Sequence, residues 1–190
     1  GTDVVAMEMT KWFDTNYHYI VPEFHPDQAF RVASSKVVDE FREALDAGIL
    51  TRPVLLGPVS FFLLGKTSTP GFNPLDLLPR VLPVYAEILK RLAEAGADWV
   101  QIDEPCLVLD ISDDTRSAYQ AAYHYLRQHS SLRLLVTTYF GALEDNLATA
   151  LSLPVDGLHV DLVRAPEQLA DVLDQMPTSM TLSLGLVDGR

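Results

Sequence analysis

Short apolar, β-branched runs alternate along the chain with stretches whose apolar residues recur every three or four positions. The runs lie at 3–9 (DVVAMEM), 53–56 (PVLL), 98–102 (DWVQI), 132–137 (LRLLVT), 156–161 (DGLHVD) and 180–186 (MTLSLGL), and each predicts a strand. A first helix is expected from Ser34 or Ser35 to Ala47, with Gly48 where a left-handed cap belongs. Asn73 and Pro74 form an N-cap and first-turn pair for a second helix, whose apolar face runs through Leu77, Leu78, Val81, Leu82, Tyr85, Ile88, Leu89 and Leu92 before Gly96. Pro79 and Pro83 fall inside it, so a kink or two short helices are expected. A third helix spans roughly 113–129, with Ser112 as N-cap and Asp113 and Asp114 at the positive end of its dipole. A fourth covers about 142–151 and stops before Pro154, and a fifth opens at Pro166 and stops at Pro177.

Six strands alternating with helices predict an α/β fold with a parallel sheet, either a (β/α)8 barrel or an open doubly wound sheet. The doubly wound form usually carries a glycine-rich first turn, whereas the first strand here leads into Thr10-Lys11-Trp12-Phe13. That favours the barrel. A complete barrel takes about 250 residues and eight strands. The expectation is therefore an incomplete TIM-type barrel of about six βα units, with residues 1–190 forming a single domain.

Composition narrows the range of functions. Hydrophobic residues make up 48% of the 190, enough to build a core and to exclude disorder. The 14 Lys and Arg against 26 Asp and Glu leave a net charge of −12, which argues against nucleic acid and anionic membrane as partners. The most apolar stretch, 54–64, is too short to span a bilayer and is interrupted by Gly57-Pro58. With a single cysteine, Cys106, no intrachain disulfide or four-cysteine zinc site can form. The opening Gly1-Thr2-Asp3-Val4 has no basic region followed by an apolar one, so no signal peptide is expected and the location is read as cytoplasmic.

Barrel enzymes place their chemistry at the C-terminal ends of strands. There, Asp103 and Glu104 before Pro105 offer acid/base work or a seat for a substrate amine; the bland alternative is a helix cap or an ion pair. Just past the first run, Lys11 is a candidate for an anionic group and Trp12 a stacking face, against a solvated lysine beside a buried tryptophan. His159 and Asp161 alternate onto one face, as metal ligands or, more commonly, as members of a hydrogen-bonded polar layer. His124 and His129 are expected on the outer surface of a helix, and nothing nearby promotes His18 or His25 in their loop. Gly65-Lys66-Thr67 lacks the upstream glycine of a phosphate loop, since position 60 is Ser60. Cys106, beside two acids, reads as a small buried thiol with a raised pKa.

Four ordered segments carry a resemblance: AMEMTKWFDTNYHY at 6–19, LGPVS at 56–60, WVQIDEP at 99–105 and LGLVDGR at 184–190. Together they resemble the N-terminal half of cobalamin-independent methionine synthases, and the likeness covers essentially the whole chain. Enzymes of that family transfer a methyl group from 5-methyltetrahydropteroyltriglutamate to homocysteine. The resemblance implies two tandem barrels, a zinc in the C-terminal barrel that binds the homocysteine thiolate, and an N-terminal barrel that helps hold the folate tail. Lys11 matches the lysine that the family assigns to the folate, a role suited to an ammonium facing carboxylates. Where the catalytic barrel has its zinc ligands, this chain offers Thr137, Tyr139 and Asp161, a poor donor set, so no metal is expected here. The same comparison assigns strands two to seven of the barrel to this chain. Open edges are then expected at roughly 3–9 and 180–186, prone to pairing with another copy. The expected activity is that of a methyltransferase part, inactive without the zinc-bearing half. The alternatives are a free-standing folate or pteridine binder, and a tetrapyrrole decarboxylase, which would want clustered arginines where Arg52, Arg80, Arg116 and Arg164 are scattered.

Overall fold

The computed structural model describes residues 6–188. Its centre is a sheet of five parallel strands, Val54–Leu56 (β3), Trp99–Asp103 (β4), Arg133–Thr137 (β5), Gly157–Asp161 (β6) and Thr181–Gly185 (β7). Their spatial order is their chain order. Each crossover therefore steps one strand in the same direction, and with right-handed connections every helix falls on one face. A doubly wound sheet would need a reversal of strand order. Among the described residues the sheet does not close: β3 and β7 are its edges.

Two expectations need correction. Only five parallel strands form, not six. Residues 3–5 of the expected first strand lie outside the described residues, and the rest of that region does not enter the sheet. Met9–Lys11 (β1) instead pairs antiparallel with His18–Ile20 (β2), Thr10 opposite Tyr19. The loop between them turns back on itself, with the Trp12 N–H donating to the Tyr17 carbonyl and the Thr15 N–H to the Trp12 carbonyl. Local hydrogen bonding thus takes up the backbone groups that a barrel strand would offer its neighbours. The first sheet edge is accordingly β3, and not residues 3–9; the second edge falls where it was expected.

The helices are Lys36–Asp46 (α1), Pro58–Leu63 (α2), Leu78–Glu94 (α3), Asp113–His129 (α4), Leu147–Ser152 (α5) and Gln168–Gln175 (α6). Their caps follow the sequence: Asn73 accepts from the Leu75 N–H, Ser112 accepts from the Thr115 N–H, and Gly48 and Gly96 take φ of +78° and +95°. The proline-containing stretch forms one helix behind a 3-10 turn, Pro74–Leu77, rather than two helices. Pro79 occupies its first turn, where no N–H is needed, and both Pro79 and Pro83 lie on its exposed side.

Alternation along the strands separates two faces. Val100, Ile102, Leu134, Val136, Leu158 and Val160 point into the helix layer and are all fully buried. Gln101, Asp103, Thr137, His159 and Ser183 occupy the other, inner face, which is partly polar.

Candidate functional site

Register brings Asp103 and Thr137, the last residues of β4 and β5, side by side with His159 and Ser183 in the middle of β6 and β7. Asp103 accepts from Gln101 Nε2 at 2.7 Å and from the Tyr139 hydroxyl at 3.2 Å, while burial raises its pKa above the usual carboxylate range. His159 Nδ1 lies 2.8 Å from Ser183 Oγ. Burial, and then the charge of Arg52, lower its pKa and favour the neutral ring. The ring packs over Gly185, where a Cβ would come within 2.9 Å of His159 Nε2.

Asp161, one rung further, has a structural task. Its Oδ2 accepts the Phe140 N–H at 2.9 Å, and its Oδ1 accepts those of Val163 and Arg164 at 3.0 Å each. The carboxylate thereby fixes the turn after β6 and holds Phe140 at a φ of +81°. Thr137 Oγ1 is buried without a partner, and the Tyr139 hydroxyl donates to Asp103. Thr137, Tyr139 and Asp161 therefore do not form a donor set for zinc. Among the described residues no three His, Cys, Asp or Glu side chains converge as a metal site.

The adjacent acids of the Asp-Glu-Pro motif point to opposite sides of the sheet. Asp103 faces inward, whereas Glu104 is fully buried in the helix layer. Glu104 accepts the N–H groups of Val59 (3.4 Å) and Ser60 (2.8 Å) at the start of α2, and the Tyr123 hydroxyl at 3.0 Å. Burial pushes its pKa up to about 7 against these donors. Gly57 makes the approach possible, since a Cβ there would lie 2.0 Å from the Glu104 carboxyl carbon. The two acids do not act as a pair, and Glu104 follows the helix-cap alternative. Cys106 is a buried thiol, as expected, with its pKa pushed up to about 12 mainly by burial.

Above the strand ends lies a cleft of about 360 Å³ lined by Trp12, Tyr17, Tyr139, Phe140, His159 and Arg164, among others. The β1–β2 hairpin forms one wall. Lys11 ends β1, opposite His18; it is exposed and makes no ion pair among the described residues. A second cleft of similar volume, floored by Trp99 and Leu135, opens at the other end of the sheet, away from the face where barrel enzymes work. Lys66 is held by Glu8 and Glu23 at 2.9 and 3.4 Å, in keeping with the rejection of a phosphate loop. His18, His25, His124 and His129 are all exposed and none lines the cleft. Asp14, Phe140 and Arg164 carry no motif that marks them at this face; chain separation hides them, since Asp14 and its partner Arg164 are 150 positions apart.

A family model described as the N-terminal domain of cobalamin-independent synthase matches residues 1–190. The chain belongs to the cobalamin-independent synthase family. Two relatives called 5-methyltetrahydropteroyltriglutamate–homocysteine methyltransferase illustrate the likeness. That of Chelativorans sp. (strain BNC1) is 63% identical over 100% of this chain, and that of Parvibaculum lavamentivorans is 60% identical over 99%. The chain spans about a quarter of the length of each, 25% in both cases. Among solved structures, a methyltransferase from Methanosarcina mazei aligns with a TM-score of 0.66 at 14% identity, covering 93% of this chain and 58% of that one. A B12-independent methionine synthase from Shewanella sp. W3-18-1 aligns with a TM-score of 0.59 at 16% identity, covering 88% and 53%. At that identity these two structures speak for the fold alone.

Proposed function

We propose that this chain is part of the N-terminal barrel of a methyltransferase that moves a methyl group from 5-methyltetrahydropteroyltriglutamate to homocysteine, and that its share of the work is to hold the folate tail. The observation that carries this reading is the unbroken likeness, at 63% identity over the whole chain, to a relative bearing that enzyme's name. Lys11 supports it. An exposed ammonium with no ion pair among the described residues, on a hairpin beside an aromatic cleft, suits the carboxylates of a glutamate chain. On this reading the homocysteine thiolate is activated by zinc in the other barrel, where a metal lowers the thiol pKa. The 190-residue chain alone is then inactive, and its two open edges pair with another copy.

The test is a titration of the full-length enzyme and its Lys11→Ala variant with monoglutamyl and triglutamyl 5-methyltetrahydrofolate. Loss of one charge-assisted contact is expected to weaken the triglutamyl ligand by about 1.5–3 kcal/mol and to leave the monoglutamyl ligand nearly unchanged. Equal losses, or none, would contradict the tail-binding role.

A further inference from the structure

The tip of the hairpin that carries Lys11 is tied to the end of β6 by a chain of contacts. Arg164 Nη2 donates to Asp14 Oδ1 at 3.0 Å, and Arg164 Nη1 lies 2.8 Å from Asp14 Oδ2, a two-pronged pairing that sets orientation as well as distance. Arg164 is itself anchored: its backbone N–H donates to Asp161 Oδ1, and its guanidinium lies 5.2 Å from the centre of the Phe140 ring. The Phe140 ring in turn meets that of Phe13 at 4.9 Å. Phe13 and Phe140 are two of the three non-glycine residues with positive φ among the described residues, at +50° and +81°. Such conformations persist only where the surroundings over-determine them. Here two strained residues, one on the hairpin and one after β5, are pressed together, with the Asp14–Arg164 ion pair beside them. At its base the hairpin has separate fastenings, the Tyr19 hydroxyl donating to the Leu64 carbonyl and Lys66 pairing with Glu8.

We propose that Arg164 is a positioning residue for Lys11: by gripping Asp14 it holds the hairpin tip against the strand ends, so that the Lys11 ammonium meets the ligand's carboxylates in a fixed place. This rests on the tail-binding reading of Lys11 given above. Arg164 acts through the hairpin and not on the ligand, so its effect passes through Lys11 and vanishes when Lys11 is absent.

The experiment uses the full-length enzyme with Arg164→Ala, Asp14→Ala and the exchanged pair Asp14→Arg/Arg164→Asp, each with and without Lys11→Ala. Amide hydrogen exchange without ligand is expected to quicken in the hairpin in both alanine variants and to return toward the parent rate in the exchanged pair; unchanged exchange overturns the latch. Arg164→Ala is expected to weaken triglutamyl 5-methyltetrahydrofolate by about three- to fivefold, the scale of an exposed ion pair, and to leave the monoglutamyl form unaffected. It should add nothing in the Lys11→Ala background. Equal loss for both ligands, loss additive with Lys11→Ala, or no recovery in the exchanged pair overturns the positioning role. If Lys11→Ala itself fails to separate the two ligands, the tail-binding reading falls and the positioning role with it, while the exchange rates still decide whether the pair holds the hairpin.

Discussion

A carboxylic acid fully buried in the helix layer is the sharpest single-residue feature of this molecule. Folded, Glu104 keeps its proton up to about pH 7, against an ordinary value of 4.5. Between those values the native state binds a proton that the unfolded chain has lost. Glu104 therefore favours folding fully below pH 4.5; that contribution fades as pH rises toward 7 and is gone above it. The swing is on the order of 3 kcal/mol. Urea unfolding of the parent protein and a Glu104→Gln variant from pH 4 to 9 should show this slope only in the parent; matching slopes would refute it. The amide also turns a donor toward the donors at Val59, Ser60 or Tyr123, so the variant is expected to lose about 1–3 kcal/mol at low pH. Gly57→Ala tests the other side of the same contact. Its methyl would overlap the carboxyl, and a loss of about 1–3 kcal/mol is expected in the urea midpoint. The sequence showed two adjacent acids at a strand end, but period-two alternation sends them to opposite faces. Asp103 alone reaches the inner face of the sheet.

At the level of elements, the parallel strands and long helices were legible because each combines a burial pattern with punctuation. Asn73, Ser112, Gly48 and Gly96 mark ends that the structure places where the caps require them. The β1–β2 hairpin was not legible. Met7 to Lys11 has strand-like residues, and nothing local states whether such a segment joins a sheet or folds on its neighbour. Helix α2 was not legible either, because its six residues follow a strand with only Gly57 between. The site shared this limit. Lys11 was marked by its motif, whereas Arg164 became meaningful only when the fold brought it to Asp14. The edges bear a prediction of their own. Val54 on β3 and Leu184 on β7 are 50% and 43% exposed, beside unpaired backbone groups. Light scattering of the 190-residue chain should show concentration-dependent association, reduced by Leu184→Lys. A monomer at every concentration would remove the idea.

For the molecule as a whole, the five-strand sheet and the separate β1–β2 hairpin line one cleft together, with His159 of the sheet's polar row facing Trp12 and Tyr17 of the hairpin across it. The expected incomplete barrel is matched in its winding and in the likeness of its fold to solved methyltransferase and methionine synthase structures, but not in its strand count, which the hairpin reduces to five. Spatial order equal to chain order also bears on how the molecule is made. Each of β4 to β7, as it leaves the ribosome, finds its earlier neighbour in the described sheet already in place, and the helices between the strands cover the sheet as it grows. No strand must wait for a distant segment before its ladder begins to form, so assembly can advance in the direction of translation, one βα unit upon the last.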